Sequence, residues 1–502
     1  MSSTIETTSA VQALKERFYD IDALGAASAM MDWDQQCFMP HGAAEARSHH
    51  TSILGRMHHE AIVADETGRL IQEAANAVAP DSEEAALVRV AKRSYDLATK
   101  VPASLVAEKL RLAAIGHEVW VKARKDNDFK AFAPTLEKMI EICRQEAEHL
   151  GYEDHIYDAL LDQYEEGAKK TDVEEMFGTV RQPLVDLVKD IKADGRDIDN
   201  AFLTGDWPEE KQRAFTEKIV TAIGFDFERG RQDTAPHPFC TGWSVTDVRL
   251  TTRFQPLLNS AVFGSLHEAG HGMYEQGSPL AWDRTPLAGG VSLGIHESQS
   301  RFWENIVGRS REFWVRFYPD LQQTFPSLSG VPLDDFHRAV NKVEPSLIRV
   351  EADEVTYNLH ILIRFEIECA LLEGSLGVHD LPGAWNAKYA DYLGVTPPSD
   401  ALGCMQDVHW SAGLVGYFPT YSMGNLLSYQ FLAKMTDEIG DQRPLWAKGE
   451  FGLTLRWLQE KVYAQGKRYT PPDLVQRVTG KPMGADDYLA GITAKYRAIY
   501  GM

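Results

Sequence analysis

The sequence predicts a mainly α protein, with two helical lobes around a deep cleft and one small antiparallel β ribbon. Three observations carry that prediction. Apolar residues recur at three- and four-residue spacing along most of the chain. Strand-like alternation is confined to one short stretch, 239–254. No internal repeat, low-complexity tract or long Pro/Gly/Ser linker divides the 502 residues, so 1–502 is read as one unit.

The elements follow in chain order. Val11, Leu14, Phe18 and Ile21 share one face of an N-terminal helix. Trp207-Pro208-Glu209-Glu210 opens a helix, with proline early and acids in the first turn, and Gly224 ends it. Val245, Val248, Leu250 and Thr252 form the ribbon, bounded by Gly242 and Pro256. Val262, Phe263, Leu266 and Met273 make the next helix apolar enough to be buried. Its glycines Gly264, Gly270 and Gly272 would each cost an exposed helix about 1 kcal/mol, so they point to close packing. Helix formers run from Ser346 to Leu372, with Pro345 at the start and Gly374 at the stop. Phe451, Leu455, Leu458 and Val462 give a late helix before Gly466.

Composition narrows the function. There are 51 basic and 73 acidic residues, a formal charge of −22. Such a surface repels phosphate backbones and anionic lipids, which argues against nucleic-acid or membrane partners. The five cysteines are scattered and lack C-x-x-C spacing, as expected of reduced thiols. The start carries no basic, apolar leader, and no stretch has the length of a membrane span, so the expected location is the cytoplasm.

The chemistry is concentrated in His267-Glu268-Ala269-Gly270-His271 and, after a glycine-rich loop, His296-Glu297-Ser298. Residues four apart on a helix stand one above the other, so His267 and His271 can aim ring nitrogens at one ion. Glu268 then reaches a water on that ion without binding the ion itself. The 25 residues between His271 and Glu297 let a second helix cross back over the first. Glu297 thereby completes the two-histidine, one-glutamate set of a catalytic zinc site, with a fourth position left open. Glu275 lies on the same helix, one turn past His271, and reads as a solvated or supporting acid. The arrangement suits amide hydrolysis by a metal-activated water. A scaffold protein that keeps a metal for stability would have no use for Glu268.

Further motifs stand in order around this centre: His237-Pro238-Phe239, Asp247-Val248-Arg249-Leu250-Thr251, His296-Glu297-Ser298-Gln299, Ile348-Arg349 with Ala352-Asp353, and Gly403-x-x-Gln406-Asp407-x-His409-Trp410. Jointly they resemble the M32 (Taq carboxypeptidase) family of metallocarboxypeptidases. The resemblance extends to Trp33-Asp34 and Met39-Pro40, and so over the whole chain. It implies a zincin-like helical architecture with a lid at about 1–110 and metal and substrate motifs within 237–421. It also implies a homodimer holding one Zn²⁺ per subunit, with Co²⁺ able to substitute, and peptide substrates with a free C-terminus. Broad side-chain preference and poor removal of terminal proline belong to the same expectation. An endo-acting helical zinc oligopeptidase is the nearest alternative, since it would share the metal helix and cleft.

The motifs supply candidates for each task. Arginine's planar fork suits a terminal carboxylate, and Arg349 is the candidate, with Asp353 four residues on either holding it or forming a plain helical ion pair. Arg249 is a second candidate, which could equally pair with Asp247 and stiffen the ribbon. Gln406 and Asp407 are grouped with the substrate side, and His237 with the cleft wall. His409 either donates a hydrogen bond to substrate or packs on Trp410. Tyr417 and Tyr421 follow in Tyr-Phe-Pro-Thr-Tyr, and Tyr421 is preferred as the phenol that stabilises a developing oxyanion. His49-His50 and His58-His59 read as polar surface of an N-terminal helix.

Overall fold

The structure is a computed structural model that describes residues 2–254 and 256–502, with side chains from Ser9 onward. Helices dominate, and the one sheet is small. Four N-terminal helices, Ser2–Cys37, Ala44–Val63, Asp65–Ala77 and Glu83–Lys100, pack around their own apolar cluster. Val11, Leu14, Phe18 and Ile21 are all buried in it, together with Leu70, Ile71, Leu87 and Val88. Trp282 and Leu287, from the loop after the metal helix, join the same cluster. The main core begins at Val101 and runs to Tyr500. His58 and His59 are half-buried rather than exposed, and burial pushes the His58 imidazole down.

The sheet differs from the expected ribbon. It has three strands, β1 (Gly230–Thr234), β2 (Cys240–Ser244) and β3 (Asp247–Thr252), in the order β1-β3-β2. Strand β2 pairs antiparallel with β3, as expected, with Thr241 opposite Arg249 and an irregularity between Gly242 and Ser244. Strand β1 pairs parallel with β3, Gly230 opposite Val248. Its sequence, Gly-Arg-Gln-Asp-Thr, has no apolar alternation to announce a strand. Gly230 permits the close approach: a Cβ there would lie 2.4 Å from the Val248 carbonyl oxygen. Val248, Leu250 and Thr252 are buried on the face of β3 that meets the metal helix.

That helix spans Leu258–Gln276 and buries Val262, Phe263, Leu266 and Met273. Gly270 and Gly272 are needed for packing. A Cβ on Gly270 would sit 2.5 Å from the Gln299 carbonyl oxygen, and one on Gly272 would sit 2.7 Å from Leu250 and Phe225. The helix Leu293–Arg301 crosses it and runs on into a π-helical stretch, Phe302–Gly308, of a kind that often marks functional sites. Behind lies Pro419–Ile439, packed tightly against Leu293–Arg301. The expected helices at 209–223 and 452–461 are present, the first ending in a left-handed Gly224.

One expected helix is broken. Residues 346–372 do not form a continuous helix: Arg349–Glu351 is a 3-10 turn, and the α-helix covers Tyr357–Glu373, ending at Gly374 in the left-handed conformation. Asp353 is the cause. Its carboxylate accepts from the Val355 and Thr356 amides at 2.9 and 3.0 Å and from the Thr356 hydroxyl at 2.8 Å, starting a new helix instead of continuing an old one. The five cysteines are all free.

Candidate metal centre

The two crossing helices bring His267, His271 and Glu297 together. One donor atom from each lies within 4.8 Å of the others. Glu297 Oε2 is 3.6 Å from His267 Nε2 and 3.4 Å from His271 Nε2. A tetrahedral zinc with bonds of about 2.0–2.1 Å sets its ligands about 3.3 Å apart, so the donor set fits such an ion. Both imidazoles are engaged at Nδ1, His267 by Glu304 Oε2 at 2.9 Å and His271 by His296 Nδ1 at 2.6 Å. That leaves Nε2 of each for the shared centre.

Electrostatics favour the same use. Burial raises the Glu297 carboxyl, but Arg301, His267 and His271 outweigh it and hold the group ionised far below the usual range. Burial lowers His271 to about 4, so its imidazole is neutral. For His267 burial opposes charge, yet Glu297 and Glu304 win and raise it, an anionic setting that suits a cation at Nε2. Glu268 is buried beside the triad and accepts no hydrogen bond among the described residues. Burial pushes its carboxyl up to about 7, with Glu297 and Glu304 adding to the rise.

Several supporting residues escape a motif reading. Arg301 donates from Nε to Glu297 Oε1 at 2.6 Å and from Nη1 to Glu304 Oε2 at 3.2 Å. Arg309 reaches the other oxygen of Glu304 at 3.3 Å. Arg301 stands four residues after Glu297 on one helix face, which was a readable signal. Gly424 on the helix behind was not: a Cβ there would lie 2.5 Å from Glu297 Cγ. Glu275 does not lie idle on the surface. It is part-buried and pairs with His296 Nε2 at 2.6 Å.

Arg301 leads to the substrate-side candidates. Its guanidinium lies 4.4 Å over the ring of Tyr357, whose hydroxyl accepts from Arg349 Nη1 at 3.1 Å. Arg349 is buried, but its partner is not Asp353. Its Nε and Nη2 donate to Asp407 Oδ1 at 2.9 and 2.8 Å, and Gln406 Oε1 accepts from its backbone amide. Asp407 is shared with Arg364, whose Nε donates to Oδ2 at 2.7 Å. Burial disfavours the charge on Asp407, but the two guanidiniums hold its carboxyl well below the usual carboxylate range. Gln406 and Asp407 thus face the arginines rather than open space.

His409 and Tyr421 do meet, with His409 Nε2 3.3 Å from the phenol oxygen and Tyr417 alongside, its ring 5.3 Å from that of Tyr421. Burial and then Arg349 lower His409 to about 3, and burial keeps the Tyr421 phenol protonated. The remaining candidates lie apart. His237 is exposed in the turn between β1 and β2. Arg249 has its fork taken by Asp247 at 2.8 and 3.0 Å and its face between Trp33 and Trp243, 4.4 and 4.7 Å from the ring centres. The geometry therefore places Arg249 in the stiffening role, tying the N-terminal helix to the sheet.

Comparison with known proteins points to a metal-dependent carboxypeptidase. The profile of the carboxypeptidase Taq (M32) metallopeptidases matches residues 13–496. The chain is 41% identical to thermostable carboxypeptidase 1 of Thermus thermophilus, over 98% of this chain and 99% of that one. It is 37% identical to carboxypeptidase 1 of Bacillus subtilis over the same shares. The crystal structure of the M32 carboxypeptidase from Deinococcus radiodurans superposes with a TM-score of 0.96 at 40% identity, covering 98% of this chain and all of that one. Matched over nearly its whole length by this profile and by these relatives, the chain belongs to the M32 family and is a metallocarboxypeptidase.

Proposed function

We propose that the protein releases single amino acids from the C-termini of peptides, with zinc held by His267, His271 and Glu297. The observation that carries this reading is a charge imbalance beside the metal centre. Arg349 and Arg364 share one carboxylate, Asp407, and the neighbouring His360 and His409 are both driven to the neutral form by burial. One positive charge is left over in a largely desolvated pocket, where a substrate's terminal carboxylate would neutralise it. Arg349, with a little of its side chain exposed, is the group that receives it, and Asp407 and Gln406 aim it.

An ion held by these three residues would supply Lewis-acid polarisation of the scissile carbonyl and would make a bound water more acidic. Glu268 takes the proton of that water and delivers it to the leaving amine. Burial raises its carboxyl, which favours its taking up the proton. Tyr421 keeps its proton and donates it as a hydrogen bond to the developing oxyanion, with neutral His409 orienting the phenol. Cobalt suits the same nitrogen and oxygen donors. The family resemblance supports broad side-chain preference, slow removal of terminal proline and a homodimer, and the scattered free cysteines support a reducing compartment such as the cytoplasm. Sedimentation and cell fractionation test the last two.

The experiment is product analysis on one defined peptide and on its C-terminal amide, each with and without a chelator. The expected outcome is stepwise release of free amino acids from the unblocked peptide alone, abolished by chelation and restored by zinc. Equal cleavage of the amide, or internal fragments, would establish an endo-acting oligopeptidase instead. Absence of any cleavage by the zinc-loaded protein would leave a silent scaffold.

A further inference from the structure

We propose that His296 is a positioning residue for the metal ligand His271, its Nδ1 accepting from His271 Nδ1 and its Nε2 donating to Glu275. The inference rests on the metal-site reading above and adds to it a specific order of protons. His271 Nδ1 and His296 Nδ1 are 2.6 Å apart, and His296 Nε2 is 2.6 Å from Glu275 Oε1. Two ring nitrogens that close must share one proton between them, since two lone pairs would repel. For His271 to offer the lone pair of Nε2 to an ion, its proton must sit on Nδ1. His271 therefore donates and His296 accepts. His296 then carries its own proton on Nε2 and donates it to the Glu275 carboxylate. Every N–H in the chain points away from the ion. The opposite order, with the proton on His296 Nδ1, would put the proton of neutral His271 on Nε2 and close that nitrogen to metal.

The surroundings hold His296 in this one place. Its ring packs against Tyr274, with centres 5.1 Å apart. On the other side a Cβ on Gly290 would lie 2.5 Å from His296 Cδ2, so only glycine fits there. The Gly290 amide donates to Glu275 Oε1 at 3.1 Å, and Gly289, at φ +84°, turns the loop under the carboxylate. The glycine-rich loop between the two helices is thus the seat of an imidazole–carboxylate pair. The two ligands are consequently supported unequally. His267 leans directly on a carboxylate, Glu304, whereas His271 feels Glu275 only through an intervening imidazole.

Zinc dissociation constants, measured by chelator competition, would test the proposal on the wild-type protein and on His296→Leu and His296→Asn. The leucine removes the acceptor, and the expected loss of affinity is about 10–100-fold, the usual effect of removing a ligand's hydrogen-bond partner. The asparagine places an amide oxygen near the position of Nδ1 and should recover most of that loss. A role in packing alone would not separate the two variants in this way. The wild-type protein loaded with cobalt gives a reading that needs no variant to fold. Proton NMR should show two exchangeable, strongly shifted N–H signals, one each from His267 and His271. A single such signal, or zinc affinity unchanged in His296→Leu, would overturn the proposal while leaving the metal site intact. A wild-type chain that takes up neither ion would overturn both this inference and the reading it rests on.

Discussion

Replacing Gly424 by alanine should cripple the metal centre while barely loosening the fold. A Cβ at this position would stand 2.5 Å from Glu297 Cγ, 2.6 Å from its Cβ and 2.8 Å from its carbonyl carbon. Carbon atoms settle at about 3.5–4.0 Å, so the two elements must part by about 1 Å. A change of rotamer at Glu297 cannot relieve the clash, because one of the crowded atoms is backbone. Metal ligands hold their distances to about 0.2 Å, so a recoil of that size takes Glu297 off the ion. The global cost is smaller. Overpacking costs about 1–3 kcal/mol, and removing a glycine from a helix returns about 1 kcal/mol. Unfolding entropy of about 2 cal/mol/K per residue turns the remainder into a fall of about 2 °C or less in a chain this long. The assays are zinc affinity, kcat/KM on a defined peptide, and the melting temperature with chelator present. Affinity should drop at least about 10-fold and kcat/KM about 100-fold, as for a group displaced by 1 Å. A variant that binds zinc within about threefold of wild type and keeps its turnover would refute the argument that this helix contact positions Glu297.

Glu268→Gln should bind zinc normally and lose turnover by a factor of about 100–10,000, the range for removing a general base, as measured by metal content and kcat. Asp407→Asn strands two buried guanidiniums, which should cost about 3–5 kcal/mol in denaturant unfolding and raise KM for free-carboxylate peptides more than it lowers kcat. Glu368, buried with only Tyr157, Trp410 and Gly416 as hydrogen-bond donors among the described residues, is pushed up to about 7 from 4.5 by burial. A raised carboxyl stabilises fully below the unfolded value of 4.5 and loses that contribution as pH rises through about 7, a change of about 3 kcal/mol. Wild-type stability relative to Glu368→Gln should therefore fall between pH 5 and 8, measured by denaturant midpoints across the series, and a flat difference would contradict it.

What could be read in the sequence was what depends on local spacing. The pair His267 and His271 is fixed by helix geometry, and the apolar positions around it mark burial, so the metal helix needed nothing from the rest of the chain. Glu297 followed because the 25-residue, turn-rich connection after His271 is long enough for a second helix to cross back over the first. Most of the failures are long-range. Asp353 stands four residues from Arg349, which suggested a partner, but its carboxylate is spent on capping the helix that begins at Tyr357. The real partner, Asp407, lies 58 residues away, and Arg364 is hidden in a helix that otherwise reads as apolar core. Strand β1 was invisible because its side chains carry no alternation, and its place is set by pairing with β3. Arg249 shows the reverse case: its local pairing with Asp247, visible in the sequence, is the one the fold keeps.

The charges around the two pockets explain why these distant residues belong together. Four carboxylates, Glu268, Glu275, Glu297 and Glu304, lie on or next to the ligand set and its hydrogen-bond partners, with Arg301 and Arg309 as the guanidiniums bonded to them. The carboxylates outnumber the guanidiniums bonded to them, an acidic setting that suits a divalent cation. The pocket at Arg349 carries one positive charge in excess, the complement of one carboxylate. Tyr357 sits between them, under Arg301 on one side and bonded to Arg349 on the other. A buried charge of either sign is too costly to leave unmatched, so each pocket selects what it binds. With a cation in the acidic cluster, a peptide end supplies the second match, its scissile carbonyl toward that cation and its carboxylate toward Arg349. An amidated end leaves the charge at Arg349 unmatched, and that difference is the physical ground for expecting an exopeptidase.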